Sequence, residues 1–490
     1  MKNAVWILVL ALMSVSGPAQ EIQDLADEEI DTAIETALWS DDAVTANEIR
    51  VAVTDGIVTM IGTVNSILAK ERAEEIVAAT VGVRAIVNQV TVEPAPGRGD
   101  GELTEAVENA WLRDPAVHAW KLTAAADDGE VTLSGTVDSF AKKELAATVA
   151  KGVRGVVAVE NDIEVDQELD RPGAEMRTEI QARIENDIRI DDALVEVFVV
   201  DGHVRLSGTV GSLTEKERTR ELARVSGVRT VDTEELNIDW RVRDDMRHRE
   251  ALLELDDEVI QLNVEDALAH DPRVELFDID VWVRDQSVRL RGEVDNLAAK
   301  SAAEQTARNT MGVRSVQNYI HVRTDVPPDD ELKYRVETAL IDDPLIDRYD
   351  LDVSAESGWV YLSGDVNTSA QKERAGSVAE RQTGVRGVVN SIDHDYTWFR
   401  KPDWEIVRDV NNRLKWNPFV NESAVDVSVD DGVVALTGTV YSRSEKNEAE
   451  KSAFQGGARN VKNDLDVEIL SYGPYSPNYY GATHLYGPAF

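Results

Sequence analysis

The chain has 490 residues, 42% of them hydrophobic, and its 51 Lys and Arg against 92 Asp and Glu give a net charge of −41. This charge argues against nucleic acid as a partner, because binding to phosphate backbones needs a basic face that releases counterions. It also argues against simple adsorption to anionic lipid. The absence of cysteine excludes disulfides and thiolate metal sites.

The first residues predict an export signal. Lys2 precedes the apolar stretch Ala4–Met13, and a Gly-Pro-Ala sequence offers a cleavage point before Gln20. The apolar stretch is too short to span a bilayer comfortably. We therefore expect residues 1–19 to be a signal peptide and the mature protein to be soluble and periplasmic or otherwise extracytoplasmic; an uncleaved anchor is the alternative.

A strand-like phrase, Val-x-hydrophobic-x-Gly-x-Val, occurs six times along the chain. Successive glycines of the phrase are 73, 73, 84, 72 and 74 residues apart, and they are Gly62, Gly135, Gly208, Gly292, Gly364 and Gly438. A fixed period of this length predicts an array of six small domains instead of one large core.

Each repeat opens with a predicted helix, followed by two strands. The helices are predicted over Asp27–Ser40, Glu102–Arg113, Ala174–Asp187, Glu258–His270, Asp330–Asp342 and Asp403–Trp416. In five repeats an Asp-Gly or Ser-Gly pair joins the two strands, which is typical of a β-hairpin. Repeat four has Gln286-Ser287 at this point, so we expect its turn to differ.

The recurring glycine lies on the apolar face of the second strand, where the missing side chain lets another element approach closely. Four residues later comes an N-cap residue for a second helix: Ser66, Ser139, Ser212, Asn296, Thr368 or Ser442. A third strand follows that helix. A right-handed crossover places the second helix on one sheet face, where we expect the opening helix to pack as well.

The predicted fold class is therefore α+β. It consists of six tandem two-layer αββαβ sandwich modules, each a three-stranded mixed sheet with two helices on one face and the other face bare.

The third strand begins with a recognisable phrase, Gly-Val-Arg with an asparagine four residues later. Three clear copies are Gly82-Val83-Arg84 with Asn88, Gly312-Val313-Arg314 with Asn318, and Gly384-Val385-Arg386 with Asn390. With the element order and the glycine hairpin strand, these repeats resemble the BON domain, a family of small bacterial envelope modules. The resemblance implies attachment to the cell envelope through phospholipid, and a role in envelope maintenance or osmotic stress protection.

The period divides the chain into named segments. We expect BON-like modules at 26–93, 100–166, 173–239, 257–323, 328–394 and 402–469. A charged helical extension at 241–256 accounts for the longest spacing and could hinge the array into two triplets. The tail at 471–490 is rich in Tyr, Gly and Pro, and we expect it to be disordered.

Signals for catalysis are poor. The seven histidines fall at unrelated positions of different repeats, and none has zinc-site spacing. The sequence has no phosphate-binding glycine loop, nucleophile elbow or dinucleotide fingerprint. We therefore predict that the protein is not an enzyme, with no cofactor, metal or small-molecule substrate.

One lysine recurs eight residues after every strand glycine. It falls near the start of the second helix, where a cation gains nothing from the helix dipole, so another interaction must hold it. Either it pairs with a carboxylate or lays its stem over the core, or it contacts an anion such as a lipid headgroup. The six candidates are Lys70, Lys143, Lys216, Lys300, Lys372 and Lys446.

Large aromatic residues fall on the bare sheet face by strand parity: Phe198, Trp282, Trp359 and Tyr361. They either pack between neighbouring repeats or form a surface for a partner or membrane. Trp39 and Trp416, near the ends of opening helices, belong to the same set of candidates.

The sequence favours a non-catalytic exported array that binds the phospholipid surface of the cell envelope. A soluble periplasmic protein-binding scaffold or chaperone is the alternative, in which acidity maintains solubility. A membrane surface or envelope component is the expected partner, a protein partner is possible, and nucleic acid is not expected.

Overall fold

The computed structural model describes residues 25–39, 41, 44, 48–93, 98–117, 121–166, 171–187, 189–190, 194–240, 255–346, 349–394, 401–417, 419–440 and 442–467. The predicted signal peptide, nearly all of the helical extension and the C-terminal tail lie outside these residues. We number the modules 1 to 6 in chain order, beginning at residues 25, 98, 171, 255, 325 and 401.

Every module has the predicted element order. The opening helices are Asp27–Trp39, Asp100–Arg113, Gly173–Asn186, Asp257–Ala269, Asp329–Asp342 and Asp403–Trp416. The second helices are Ile67–Ala78, Phe140–Lys151, Leu213–Leu222, Leu297–Arg308, Ser369–Glu380 and Arg443–Gln455. Each second helix begins after its predicted N-cap residue, whose side chain accepts a hydrogen bond from a backbone N–H of the first turn.

The strands form one three-stranded arrangement per module. First strands are Glu48–Thr54, Leu122–Asp127, Val195–Val200, Ile279–Arg284, Asp352–Glu356 and Val425–Asp430. Central strands are Ile57–Val64, Glu130–Val137, His203–Val210, Ser287–Val294, Trp359–Ser363 with Asp365–Val366, and Val433–Val440. Third strands are Ala85–Val92, Ala158–Asn161 with Glu164–Val165, Thr230–Ile238, Ser315–Val322, Gly387–Asn390 with Asp393–His394, and Asn460–Asn463 with Asp466–Val467.

In each module the central strand pairs antiparallel with the first strand and parallel with the third. Both helices pack on the same face of this sheet, and each module has its own apolar core. In module 4 the core joins Ile260 of the opening helix, Leu290 of the central strand and Ala303 of the second helix. The predicted fold class is confirmed.

The hairpin turn is hydrogen-bonded to the start of the opening helix, and this contact was not predicted from the sequence. Asp27 accepts hydrogen bonds from the backbone N–H groups of Asp55 and Gly56 at 2.8 and 3.0 Å. Carboxylates at the matching position do the same in modules 2, 4, 5 and 6. In module 3 the position is Gly173, whose Cα lies so close to Val199 that an added Cβ would meet the Val199 carbonyl at 3.1 Å.

The expectation of a different turn in module 4 is wrong. Its turn residues are Asp285 and Gln286, with φ of 50° and 60°, and Asp55 and Gly56 of module 1 have φ of 52° and 71°. The hairpin twist needs left-handed backbone at both positions. Gln286 therefore occupies a conformation that costs an L-residue roughly 1 kcal/mol or more relative to glycine.

Replacing Gln286 by glycine is expected to raise the free energy of unfolding by about 1 kcal/mol, because the strained backbone position is relieved. Urea unfolding followed by circular dichroism measures this change. The reverse substitution at the matching turn, Gly432→Gln, is the control, since the nearest atom to a new Cβ is Arg459 Cβ at 3.4 Å and space is adequate. A destabilised Gln286→Gly protein would contradict this account.

The recurring strand glycine is required for two reasons. Its φ lies between 115° and 153° in all six modules, a region that side-chain-bearing residues rarely adopt. In module 3 a Cβ on Gly208 would also lie 1.8 Å from the carbonyl oxygen of Leu194, just before the first strand. The close neighbour is thus the antiparallel partner strand, and it approaches through its backbone.

Gly208→Ala is expected to destabilise the protein by about 2 kcal/mol or more, because the backbone must move to relieve both the clash and the positive φ. Thermal unfolding measures the effect. Gly101→Ala is the matched control, since Gly101 lies in an opening helix and a Cβ added there would meet no atom within 4 Å. Equal stability of the two variants would refute the role assigned to the strand glycine.

The modules associate in pairs, and the two members of a pair lie equally far from the two ends of the array. Modules 2 and 5 exchange reciprocal backbone hydrogen bonds, Arg154 N–H to Asp342 O at 2.8 Å and Thr383 N–H to Arg113 O at 3.2 Å. These are matching positions of the two modules, as in a twofold-symmetric dimer. Modules 3 and 4 form one such bond, from Met311 N–H to Asn186 O at 3.1 Å.

Modules 1 and 6, at the two ends of the array, also meet. Arg413 of module 6 donates to the carbonyl oxygen of Ala37 at 3.2 Å, and Trp416 packs against the core of module 1. Module 1 therefore pairs with 6, module 2 with 5 and module 3 with 4, so the chain folds back on itself.

A second set of contacts closes each triplet into a ring. In five modules the first residue of the second helix, fifth after the strand glycine, contacts a neighbouring module. Ile67 joins the core of module 2, Arg224 of module 3 lies over the ring of Phe140, and Leu213 packs on the core of module 1. In the second triplet Leu297 packs on module 5, and Arg443 donates to the Arg314 carbonyl of module 4. His394 Nε2 of module 5 lies 3.3 Å from the Arg459 carbonyl oxygen of module 6 and completes this ring.

Two rings joined by three pairs have the connectivity of a dihedral D3 hexamer contained in a single chain. The intermodule contacts of the described residues come from helices, loops and strand ends. The helical layers therefore face one another, and helices of modules 1, 3 and 6 form most of the lining of an open cleft of about 1820 Å³. The sheets face outward.

Candidate functional site

The four predicted sheet-face aromatics are exposed and do not pack between modules. The exposed fraction is 51% for Phe198, 45% for Trp282, 47% for Trp359 and 40% for Tyr361. All lie on outward sheet faces, because the helical layers occupy the space between modules. The packing alternative for these four residues is therefore wrong, and the outward faces are the candidate binding surfaces.

The outer face of module 4 combines aromatic rings with arginines. Trp282 on the first strand is the register partner of Arg289 on the central strand. Arg291, two residues further along, is the register partner of Tyr319 on the third strand. The Arg291 guanidinium carbon lies 5.7 Å from the centre of the Trp282 ring and 5.9 Å from that of Tyr319, within cation–π range of both.

Tyr319 was missed by the sequence reasoning, although the parity that selects Trp282 also selects it. Tyr319 is 52% exposed, and it alternates with the buried Ile320 in the third strand. The arginines were missed because the strongly acidic composition of the whole chain conceals a local basic cluster.

The outer face of module 5 is aromatic and acidic. The ring of Trp359 lies over Gly387 on the third strand, so close that a Cβ there would meet a ring carbon at 2.6 Å. Tyr361 on the central strand is the register partner of Val389 on the third strand. Carboxylates surround these rings at outward positions of the three strands: Asp352, Glu356, Asp365 and Asp393.

The two tryptophans near helix ends, Trp39 and Trp416, have different environments in the structure. Trp39 is 73% exposed. Trp416 is half-buried against module 1, and the Lys415 ammonium lies 5.3 Å from its ring centre. The packing alternative is thus correct for Trp416. Trp404, absent from the predicted candidates, is 65% exposed on an opening helix, with Arg408 over its ring.

The six recurring lysines are all half-buried, and among the described residues none forms an ion pair with a carboxylate. Lys216 donates to the carbonyl oxygen of Leu236 in the third strand at 2.7 Å, and burial lowers the pKa of Lys216. Lys446 makes the matching bond to Leu465. In these two modules the ammonium already ties the second helix to the third strand; the anion contact stays a prediction.

The asparagine of the third strand forms another hydrogen bond between that strand and the second helix. Its side-chain amide donates to the backbone carbonyl of the recurring lysine, as from Asn161 to Lys143 at 3.0 Å and from Asn318 to Lys300 at 2.9 Å. Modules 5 and 6 repeat this bond. The asparagine and lysine of the repeat are therefore joined in the fold.

A buried acidic residue follows the opening helix in five modules, another feature absent from the predicted candidates: Asp41, Asp114, Asp187, Asp271 and Asp343. In three of them an arginine of the second helix donates to it through Nε, from Arg72 at 2.9 Å, Arg218 at 2.8 Å and Arg374 at 2.7 Å. These pairs join the two helices of one module, and removing either partner leaves a buried charge without compensation.

Asp187 has the most strongly shifted carboxyl. Burial alone would raise its pKa, but hydrogen bonds and charge from Arg189, together with the charge of Arg218, outweigh burial and hold the pKa at about 2. The same balance, with Arg273 and Thr306 as donors, lowers the pKa of Asp271. A carboxyl held ionised in this way acts as a structural anion and has no proton to give near neutral pH.

Within the described ranges, no group of three His, Asp or Glu side chains is placed to hold a metal ion. Nor does that part of the chain contain a helix with the length and apolar character that a bilayer crossing requires.

Fold and surface define a class of protein: a tandem array of two-layer α+β modules whose helices pack together and whose sheets face solvent. The BON domain family matches six times, over residues 26–94, 99–167, 173–239, 256–324, 328–394 and 402–469. The chain belongs to the BON domain family.

Several named bacterial proteins are similar to parts of this chain. Osmotically-inducible protein Y of Escherichia coli is 32% identical over 146 residues, covering 28% of this chain and 72% of that protein. Outer membrane lipoprotein DolP of Haemophilus influenzae is 28% identical over 163 residues, covering 32% of this chain and 84% of that protein. A 21 kDa hemolysin of Actinobacillus pleuropneumoniae is 33% identical over 123 residues, covering 24% of this chain and 63% of that protein.

Among solved structures, CdsD, a structural protein of the Type III secretion system of Chlamydia trachomatis, aligns with 44% of this chain and 97% of its own. The TM-score is 0.12 and the sequence identity 16%, so this likeness carries no functional meaning.

The depressed pKa of Asp187 makes stability depend on acid pH. Its folded pKa lies below the ordinary value of about 3.9, so the ionised group stabilises the protein above about pH 4, and this stabilisation is lost as the pH falls toward 2. We expect Asp187→Asn to lower the free energy of unfolding by about 2 kcal/mol at pH 7, and the difference from wild type to shrink below pH 4.

Urea unfolding at a series of pH values measures this difference. The exposed Asp127→Asn is the control, since it removes the same charge without touching a buried pair. A difference between Asp187→Asn and wild type that is constant from pH 7 to pH 2 would show that the ion pair is not the source of the stability.

Proposed function

We propose that this protein is a non-catalytic, exported multi-BON array that binds the phospholipid surface of the cell envelope, in envelope maintenance or osmotic stress protection. The name of one relative, an outer membrane lipoprotein, supports an envelope location, and that of another, an osmotically inducible protein, supports a role in osmotic stress. The predicted signal peptide supports export to the periplasm or another extracytoplasmic compartment.

The observation that carries the proposal is the outward orientation of sheets bearing exposed tryptophan and tyrosine. Trp282, Trp359 and Tyr361 expose amphipathic rings of the type enriched where water meets lipid headgroups. Because the helical layers occupy the interior, each sheet is available to a flat partner. Several faces on one rigid body can also strengthen weak contacts through multivalency.

The net charge of −41 opposes binding to anionic lipid, but only the charges close to the membrane contribute to this repulsion. Charges farther apart than a Debye length, about 10 Å at 0.1 M salt, are largely screened from each other. A face that carries its own basic or aromatic groups can therefore approach an anionic surface while the acidic faces point away. Divalent cations would assist the acidic faces by bridging carboxylate and phosphate.

The second candidate function is a periplasmic protein-binding scaffold or chaperone. One observation favours it: the outer face of module 1 exposes Ile57, Ile61 and Val87, each more than 40% accessible, as a small apolar patch. Such a patch suits an apolar peptide segment better than a charged headgroup.

Liposome flotation of the mature chain, with and without calcium, separates the two functions. We expect the protein to float with vesicles that contain anionic phospholipid. Absence of flotation under both conditions would refute the membrane function and leave the scaffold.

With calcium present, the double substitution Trp359→Ser and Tyr361→Ser is expected to weaken vesicle binding several-fold with an unchanged melting temperature, because both rings are exposed on an acidic face that calcium bridges to phosphate. Trp404→Ser is the matched control, since it removes an exposed ring from a helix and leaves the sheet faces intact. A fall in melting temperature with unchanged binding would show that these rings serve packing.

A further inference from the structure

The outer face of module 4 differs in charge from every other outer face. Strand register places three arginines on it, Arg284, Arg289 and Arg291, and two carboxylates, Asp280 and Glu293. At corresponding outward positions module 1 has one cation and one carboxylate, and module 2 has only carboxylates. Module 5 has four carboxylates and no cation there. Modules 3 and 6 each combine one cation with three carboxylates.

From this contrast, and resting on the function proposed above, we propose that module 4 docks the protein on an anionic phospholipid bilayer through its outer sheet face. We call this face the arginine–aromatic face, and its residues are Trp282, Arg284, Arg289, Arg291 and Tyr319. Positive charge on this sheet and negative charge on phosphate groups provide the complementarity.

The central arginines are available to a ligand. Among the described residues no carboxylate forms an ion pair with Arg289 or Arg291, and Arg289 only approaches the Gln317 side chain at 3.5 Å. Arg284 is 92% exposed and meets only Asp285 at 3.7 Å. A guanidinium presents a planar fork of donors that matches phosphate oxygens, and stacking on aromatic rings leaves that fork open.

The shape of the face favours a bilayer over a small phosphate compound. Adjacent strands lie about 4.8 Å apart, so side chains on three strands spread over a flat area of headgroup dimensions. The arginines are exposed on a sheet surface, whereas a small anion is normally held in a concave pocket. Trp282 and Tyr319 supply amphipathic rings at the same level, as in the aromatic belts of membrane interfaces.

Docking through module 4 also orients the whole molecule. Module 4 packs against modules 3, 5 and 6 through helices and loops, and its sheet points away from them. When this face meets the membrane, the docking contact is made by its own arginines and rings and not by the acidic outer faces of modules 2 and 5. The strongly negative chain can thereby bind an anionic surface without calcium.

The test uses the full mature chain and calcium-free vesicles of phosphatidylcholine containing about one third phosphatidylglycerol, with pure phosphatidylcholine vesicles as reference. The variant is Arg289→Gln with Arg291→Gln. The matched control is Arg50→Gln with Arg205→Gln, which removes two outward arginines from modules 1 and 3 and changes net charge equally. We expect the module 4 variant to bind roughly tenfold more weakly and the control less than about twofold more weakly.

Each outcome decides a separate point. Equal binding of the module 4 variant and wild type would overturn docking through module 4 and leave the proposed function intact through another face. Failure of wild type to bind either vesicle, with or without calcium, would refute the membrane function itself. Unchanged circular dichroism melting confirms that the variants are folded.

Inorganic phosphate at constant ionic strength distinguishes the two possible sources of the anion. If vesicle binding persists in about 10 mM phosphate, the face recognises a membrane surface, as proposed, since single headgroup contacts are weak and act together. If phosphate abolishes binding, and the module 4 variant no longer responds to phosphate, the face is a discrete anion site and the bilayer proposal is wrong.

Discussion

The position of both helices on a single face of each sheet is the constraint on which the rest of the structure depends. A module of about 70 residues buries only a small core, and its helical layer leaves apolar surface that a neighbour can cover. Six helical layers on one chain can cover each other if they face inward. The pairing of modules 1 with 6, 2 with 5 and 3 with 4, and the two rings of three, achieve this arrangement. The outward position of the sheets follows from it.

Within a module, a few polar contacts fix the geometry that the apolar core leaves undetermined. The carboxylate at the start of the opening helix holds the hairpin turn, as Asp27 holds Asp55 and Gly56. The buried aspartate after the same helix holds the second helix, as Asp187 holds Arg218. Removing one partner of such a pair leaves the other charge buried without compensation, so the pair holds the two helices in one arrangement. The turn-holding carboxylate recurs in five modules and so does the buried aspartate, so modules of different composition share one shape.

Charge is unevenly distributed on the outside of this assembly. The total of −41 opposes nonspecific association with other anionic molecules. Against that background, the outer face of module 4 is distinguished by its three arginines. The aromatic rings of modules 4 and 5 lie on neighbouring modules, so one body presents two chemically different surfaces, one basic and one acidic.

The sequence by itself determined the fold of the module and its sixfold repetition. The period of the strand glycines, the N-cap residues and the hairpin turns are local signals, and local backbone requirements such as positive φ at Gly208 are legible in residue type. The same local reasoning failed at Gln286, because a residue in a strained turn is tolerated when the surrounding hairpin and Asp257 hold it there.

Only the tertiary structure decided how the modules meet, and hence which aromatics are buried. Trp416 and Trp282 are equally plausible interface residues in the sequence, yet one packs on module 1 and the other stays exposed. Contacts such as Arg154 with Asp342 join residues far apart in the chain, and no local pattern specifies them. The inward helices and outward sheets come from these long-range contacts, because the free energy gained by covering the helical layers depends on all six modules together.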